Sequence, residues 1–146
     1  MSLTTIERVV ALQRVALFAN VPGRTLAAVA QRAIEVEVAA GTTVIAEGAV
    51  DDHLFAVVGG RLRVHQGERT LAVLDAGATV GELAALVPEP RSASVTALEP
   101  AMLLRIEKAV LDELLLDRPE LAREIIGALV TMIRARKRPG TDSTPA

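Results

Sequence analysis

The stretch Val80-Gly81-Glu82-Leu83-Ala84-Ala85-Leu86-Val87-Pro88-Glu89-Pro90-Arg91-Ser92-Ala93-Ser94-Val95 contains a glycine, a short helix-forming run, a proline-bracketed turn and an arginine that leads into a strand. The first N–H groups of a helix lack internal acceptors and carry partial positive charge, so they bind anions. Gly81 lets a ligand approach the backbone closely. Arg91 can bind the same anion through a forked pair of charge-assisted hydrogen bonds. The stretch therefore predicts a phosphate site.

Glu82 lies inside this predicted phosphate site, although its negative charge repels a phosphate group. A carboxylate accepts hydrogen bonds, and sugar hydroxyls are suitable donors. A ribose beside the phosphate explains the acid, so the pattern indicates a nucleotide. The alternative is that Glu82 and Arg91 form a structural ion pair in a domain without a ligand.

The composition excludes several classes of function. The 146 residues are enough for one domain with a sizeable core, which Val, Leu, Ile and Ala must build because Phe18 and Phe55 are the only aromatic residues. Two rings cannot form a stacking platform for single-stranded nucleic acid, and a net charge of −2 argues against general nucleic-acid binding. There is no cysteine, no signal-peptide pattern and no apolar run that would span a bilayer. We therefore expect a cytoplasmic protein without disulfides.

Periodicity divides the chain into three parts. The capping box Thr4-x-x-Glu7 begins a predicted helix over residues 5–18, and a second covers about 24–32, so that helices occupy 5–33. Residues 34–107 show a period of two with recurrent turn glycines, and 108–138 carry two helices divided before Pro119. Residues 139–146 are predicted to be a disordered tail. The predicted strands are Ile34–Val38, Thr42–Ala46, Leu54–Val58, Arg61–His65, Thr70–Leu74, Ser92–Ala97 and Ala101–Ile106.

The predicted fold class is α+β and mainly β. Many short strands at this spacing indicate an antiparallel jelly-roll barrel over residues 34–107, with N-terminal helices and two C-terminal helices around it. Gly59-Gly60 separates Leu54–Val58 from Arg61–His65, which predicts a hairpin with a two-residue turn.

A barrel of short strands between helices, with an anion loop inside it, resembles the cyclic nucleotide-binding domain family of the catabolite activator and protein kinase regulatory subunit type. The resemblance covers nearly the whole chain, and residues 1–138 would form this one domain. Its most specific features are Gly81-Glu82-Leu83 and Pro90-Arg91, which stand at the family's spacing. The other similar segments are Ala16–Pro22, Ala40–Gly48, Leu54–Val64 and Asp75–Val80.

The resemblance implies that the chain is a regulatory sensor, without catalysis, cofactor or metal, whose ligand is cyclic AMP or cyclic GMP. Arg91 would neutralise the cyclic phosphate, and Glu82 would accept a hydrogen bond from the ribose 2′-hydroxyl. Cyclic AMP is favoured, although Ser92 leaves the choice of base open. The other implied ligand-binding residues are Gly81, Leu83, Ala84, Ser92 and Ala93 around the phosphate, and Val64 and Leu71 against the sugar or base.

In the family the last helix closes over the base, and Leu129, Val130 and Ile133 are the candidates for that role here. The chain departs from the family in having Val80 where a phenylalanine is common and in carrying no aromatic residue on the last helix. The same apolar stripe is alternatively the seam of a homodimer. A domain that has lost its ligand and serves as an oligomerisation module is the second interpretation.

Three further features have simpler interpretations. His53 and His65 stand alone in sequence and are predicted to be surface or strand-end residues and not the ligands of a metal enzyme. The basic cluster Arg134–Arg138 is interpreted as a solvated helix end. The family's transcription factors have a helix-turn-helix after the last helix, and the residues that follow it here are too few for one. We therefore expect no specific DNA binding by this chain, and an effector domain or partner protein, such as an upstream domain, as its output.

Overall fold

The first helix begins at the predicted capping box and ends earlier than predicted. The computed structural model describes residues 2–81, 87 and 89–136. Helix α1 covers Thr5–Gln13, and its capping box is complete, because the Thr4 hydroxyl accepts from the Glu7 N–H at 3.1 Å while a Glu7 carboxylate oxygen accepts from the Thr4 N–H at 2.9 Å. The pKa of Glu7 is lowered by these bonds, first by the one from the Thr4 backbone. A 3₁₀ turn at Ala16–Phe18 and helix α2 at Gly23–Arg32 follow.

Arg8 joins α1 to its two neighbours. Its Nη1 donates to the carbonyl oxygens of Ala30 and Ala33, at 3.0 and 2.6 Å, and its Nη2 bonds Glu35 at 3.1 Å. Ala30 lies in the last turn of α2 and Ala33 is the residue that caps it, at a helix end where carbonyl oxygens lack the full set of intrahelical donors. One guanidinium thus satisfies the end of α2 and fixes α1 against the strand that begins at Ile34.

The strands form two four-stranded antiparallel sheets and a two-stranded ribbon. The first sheet has the order β1-β10-β4-β7, the second has the order β2-β9-β5-β6, and the ribbon pairs β3 with β8. This arrangement confirms the predicted mainly-β, jelly-roll class, but the described strands do not close into a barrel. The strands are β1 Ile34–Val38, β2 Thr43–Ile45, β3 Val50–Asp51, β4 His53–Gly59, β5 Leu62–Gln66, β6 Arg69–Leu74, β7 Thr79–Val80, β8 Glu89–Pro90, β9 Ser94–Ala97 and β10 Ala101–Glu107.

The predicted hairpin at Gly59-Gly60 is wrong. β4 pairs with β10 and β7, whereas β5 pairs with β6 and β9, so the two glycines carry the chain from one sheet to the other. Gly60 has φ +85°, and a Cβ on it would lie 2.6 Å from the carbonyl oxygen of Pro100. A glycine pair permits a crossover at such close backbone approach as readily as a hairpin turn, and sequence spacing does not distinguish the two.

Alternation along β4 separates two hydrophobic clusters. Leu54 and Ala56 face the helices in what we call the helix-side cluster, which also contains Phe18, Leu26 and Leu121. Phe55 and Val57 face the second sheet, in the inter-sheet cluster. Successive strand side chains point to opposite faces, so one strand contributes to both. The inter-sheet cluster comprises Ile45, Phe55, Val57, Leu62, Val64, Val80, Ala93, Val95, Ala97, Ala101 and Leu103.

Two helices complete the described chain. Helix α3 covers Lys108–Asp117, and α4 covers Pro119–Arg136 and begins at the predicted proline. α4 packs against α3 and the 3₁₀ turn, with Leu121 and Ile125 buried. The rest of the predicted last helix and the predicted tail, residues 137–146, lie outside the described residues. No helix that the structure describes is long and apolar enough to cross a membrane.

Candidate functional site

Arg91 lies in the turn between β8 and β9 with only 8% of its surface exposed. Its Nε donates to Asp51 Oδ1 at 2.7 Å, and its Nη2 donates to the same oxygen and to the carbonyl of His53 at 2.6 Å. A buried guanidinium without an acceptor would be costly, and the carboxylate of Asp51 removes most of that cost. Arg91 is therefore a desolvated, oriented cation.

The β3–β8 ribbon places Asp51 beside Arg91. Asp51 is paired with Glu89, and in the adjoining backbone the Gly48 N–H donates to the Arg91 carbonyl while the Arg91 N–H donates to the Ala49 carbonyl, at 2.8 and 2.9 Å. Asp51 was not among the sequence-predicted site residues, because 40 positions separate it from Arg91. A two-residue strand also has no periodicity that would reveal its partner.

Gly81 makes room for the guanidinium. It has φ +83°, and a Cβ on it would lie 2.7 Å from the His53 carbonyl oxygen and 2.9 Å from Cζ of Arg91. The Nη1 end of Arg91 is directed at this glycine. The sequence assigned Gly81 to the close approach of a ligand; in this structure the arginine approaches it.

Replacing Gly81 by alanine is expected to destabilise the fold more than the same change at Gly48. Both glycines have the same left-handed backbone, with φ +83° and +82°, but no atom lies within 4 Å of a Cβ built on Gly48. Each substitution should cost about 1 kcal/mol or more for the backbone, and the clash with Arg91 should add about 1–3 kcal/mol at Gly81. Urea denaturation measures the free energy of unfolding of both variants. Equal losses of unfolding free energy would show that the contact with Arg91 is unimportant.

The structure brings together part of the predicted site. Val64 and Ala93 are buried in the inter-sheet cluster, and Leu71 packs against it. Ala93 follows Arg91 by two residues, so this part of the cluster lies near the arginine. Ser92 is exposed beside them. The predicted roles of Glu82, Leu83 and Ala84 fall on positions outside the described residues. The ion pair considered between Glu82 and Arg91 is not described; the described acidic partner of Arg91 is Asp51.

Neither histidine belongs to a metal cluster: in the described ranges no three His, Cys, Asp or Glu side chains could hold an ion together. His65 hydrogen-bonds the Gly67 carbonyl and the Thr96 hydroxyl, each at 2.8 Å. His53 packs edge-on against Phe55, with ring centroids 6.2 Å apart. Its Nδ1 is buried and lies 3.4 Å from Asp52 Oδ1, without hydrogen-bond geometry.

The arrangement suits an anion. The described side-chain hydrogen bonds of Arg91 use Nε and Nη2, and its Nη1 is directed at Gly81. An arginine whose orientation is fixed by other contacts binds an incoming anion with little loss of conformational entropy. The aliphatic inter-sheet cluster next to it suits the less polar part of such a ligand.

Similar proteins of known structure share this fold. The N-terminal domain of a transcriptional regulator from Streptomyces coelicolor A3(2) is 30% identical, with a TM-score of 0.81, over 91% of this chain and 99% of that one. The regulatory domain of Toxoplasma gondii PKA, in a co-crystal structure with cAMP, is 27% identical, with a TM-score of 0.69, over 75% of this chain and 44% of that one.

Sequence comparison leads to the same group. A CRP-like cAMP-activated global transcriptional regulator of Mycobacterium tuberculosis is 26% identical over 128 residues, which are 84% of this chain and 57% of the regulator. The Pseudomonas aeruginosa Pycsar effector protein PaPycTIR is 33% identical over 101 residues, 68% of this chain and 33% of the effector. This chain thus spans less than two thirds of either relative. The model of the cyclic nucleotide-binding domain matches residues 35–118, from β1 to the end of α3. The chain belongs to the cyclic nucleotide-binding domain family.

Proposed function

We propose that this chain binds a cyclic nucleotide, cyclic AMP in preference to cyclic GMP, and acts as a regulatory sensor without catalysis of its own. The observation that carries the proposal is Arg91, a buried cation directed at Gly81 within the family-matching region. A cyclic phosphate carries one negative charge, so the guanidinium can neutralise it. The site would need no metal or other cofactor for this.

The remaining roles are those that the family resemblance implies. Backbone N–H groups of residues 83, 84, 92 and 93 would bind the phosphate, and Glu82 would accept from the ribose 2′-hydroxyl. Val64 and Leu71 lie in or against the inter-sheet cluster and would contact the sugar or base. Asp51 would hold Arg91 in place before the ligand arrives, so that little ordering is left to the binding step.

Relatives support cyclic AMP without deciding the base. The similar Mycobacterium tuberculosis regulator is cAMP-activated, and the similar Toxoplasma gondii regulatory domain was crystallised with cAMP. A cGMP-dependent protein kinase of Caenorhabditis briggsae is, however, 41% identical over 76 residues. The preference for cyclic AMP is therefore part of the proposal and needs a direct comparison of the two nucleotides.

The proposed response is closure of α4 over the bound nucleotide. Leu129 packs against the helix-side cluster, whereas Val130 and Ile133 are 39% and 50% exposed. Burying these two aliphatic side chains against a base would favour a closed state by removing apolar surface from water. The bound nucleotide would then shift the population of helix positions by as much as it prefers the closed one.

The output of such a sensor lies beyond this domain. We propose an effector domain or a partner protein, in the cytoplasm, that reads the position of α4 or of α1. Arg8 fixes α1 to α2 and β1, so a change in the sheets can reach an upstream domain through that helix. Specific DNA recognition is not proposed for this chain.

A second candidate function is a ligand-free oligomerisation module. Ile126, Val130 and Ile133 are exposed on α4 at spacings of four and three residues, which is the pattern of a helix-pairing seam. In this case a second copy of the chain, and not a nucleotide, would cover the stripe. Binding of a nucleotide would then have no effect on stability.

A thermal-shift comparison tests the proposed function. Cyclic AMP at about one hundred times its dissociation constant should raise the melting temperature by about 5–10 °C, because ligand binding stabilises the folded state by mass action. Cyclic GMP should require a higher concentration for the same shift. Linear 5′-AMP, with the same base and sugar but an open phosphate, is the matched control and should shift it less. No shift with any cyclic nucleotide would reject the sensor and favour the oligomerisation module.

A further inference from the structure

Gln66 places a polar side chain at the end of an otherwise aliphatic row. β5 keeps a regular register with β9 from Leu62 to His65, and the irregularity between Val64 and His65 appears only in its pairing with β6. Alternation along β5 therefore puts Gln66 on the same face as Leu62 and Val64, whose side chains are buried in the inter-sheet cluster. Gln66 is the next residue of that row and is itself exposed.

The amide of Gln66 has a defined orientation. Its nitrogen lies 2.9 Å from the carbonyl oxygen of Ser92, the residue after Arg91. A carbonyl oxygen only accepts hydrogen bonds, so the atom facing it must be Nε2, and Oε1 is the atom left to face outward. Within the described part of the chain, no hydrogen bond uses Oε1. The side chain thus presents an oriented acceptor beside Val64 and Ser92.

We propose that Gln66 sets the base preference of the site, by accepting a hydrogen bond through Oε1 from the amino group at position 6 of adenine. This inference rests on the proposed function and adds a specificity-determining residue to it. Adenine carries an amino donor at position 6, whereas guanine and hypoxanthine carry a carbonyl acceptor there. An acceptor facing a second acceptor leaves both unpaired, and this disfavours the 6-oxo bases.

The position of Gln66 supports this role over that of a solvated strand end. The pairing of β5 with β9 brings Gln66 beside the residues that precede Ser94, and its amide bonds the backbone there and not water alone. Gln66 bonds the Ser92 carbonyl, so that the proposed base acceptor is attached to the turn that carries the proposed phosphate-binding arginine. The distance between the group that binds the phosphate and the group that binds the base would thereby be fixed.

Calorimetric titration of cyclic AMP, cyclic IMP and cyclic GMP separates position 6 from the rest of the base, because cyclic IMP has the 6-carbonyl and lacks the 2-amino group of guanine. The wild-type protein should prefer cyclic AMP to cyclic IMP. In Gln66→Leu the dissociation constant of cyclic IMP divided by that of cyclic AMP should fall about five- to tenfold, which is the effect of one hydrogen bond. Gln66→Lys offers a hydrogen-bond donor, so this ratio should fall further and the preference should shift towards the 6-oxo bases. Gln31→Leu, at an exposed glutamine on α2, is the matched control and should leave the ratio unchanged.

Two outcomes overturn the inference and are distinguishable from each other. If the wild-type protein binds these nucleotides and Gln66→Leu weakens all of them equally, or none of them, Gln66 does not read the base. If the wild-type protein binds none of the three, the proposed function fails together with this inference.

Discussion

Replacing Arg91 by alanine is expected to weaken cyclic AMP binding by about 2–5 kcal/mol. The change removes the cation that the phosphate would meet, and it also leaves the carboxylate of Asp51 without its partner in a partly buried position. Calorimetric titration at 25 °C, with folding checked by circular dichroism, measures the loss. Arg91→Lys keeps the charge but not the forked pair of hydrogen-bond donors, so its affinity for cyclic AMP should lie between those of wild type and Arg91→Ala.

Arg63→Ala is the control for this experiment. Arg63 lies on β5, where it bonds the Thr70 hydroxyl at 3.0 Å, away from the turn that carries Arg91. Its replacement removes an equal charge from the protein and should leave cyclic AMP affinity within about twofold of wild type, since partly exposed charges away from the ligand contribute little. If Arg91→Ala and Arg63→Ala bind cyclic AMP equally well, Arg91 is not the phosphate-binding residue.

Replacing Asp51 by asparagine is expected to lower the free energy of unfolding of the unliganded protein by about 1–3 kcal/mol. Breaking a fully buried ion pair costs more than this, but Asp51 is 28% exposed, so water screens part of the loss. The substituted amide would keep the shape of the side chain and remove the charge that compensates the guanidinium of Arg91. Urea denaturation without nucleotide gives the value directly.

Asp52→Asn provides the matched comparison, because Asp52 is the neighbouring acid, is 49% exposed and lies against His53 instead of Arg91. It should change the unfolding free energy by less than about 0.5 kcal/mol. Equal stabilities of the two asparagine variants without ligand would mean that Asp51 does not support Arg91.

Local signals account for the elements that were predicted well. The capping box at Thr4 and the proline at 119 mark helix starts through contacts within one turn, and both starts are as predicted. The alternating segments that became β4, β5, β6 and β10 are long enough for a period of two to show. β3, β7 and β8 have two residues each and show no period, so they were not predicted.

Contacts between distant segments account for what was missed. Gly59-Gly60 has the sequence of a hairpin turn, yet Pro100 and Ala101 pack against it and the chain crosses between the sheets there. Helix α1 ends at Gln13, although apolar residues continue at helical spacing. Leu17 and Phe18 lie in a 3₁₀ turn instead, and from that turn their side chains are buried in the helix-side cluster. Tertiary packing overrides local pattern in both cases.

The sequence by itself determined the family and the mainly-β class, and it predicted a phosphate-binding role for Arg91, because a glycine, an acid and an arginine at that spacing form a local pattern whose chemistry suits a phosphate. Only the tertiary structure decided what surrounds Arg91 before any ligand arrives. Asp51 and the His53 carbonyl reach the guanidinium through a ribbon that joins segments about 40 residues apart, and Gly81 leaves the space it needs. A cation can be buried only where other parts of the chain supply acceptors and room, and linear spacing does not encode those distances.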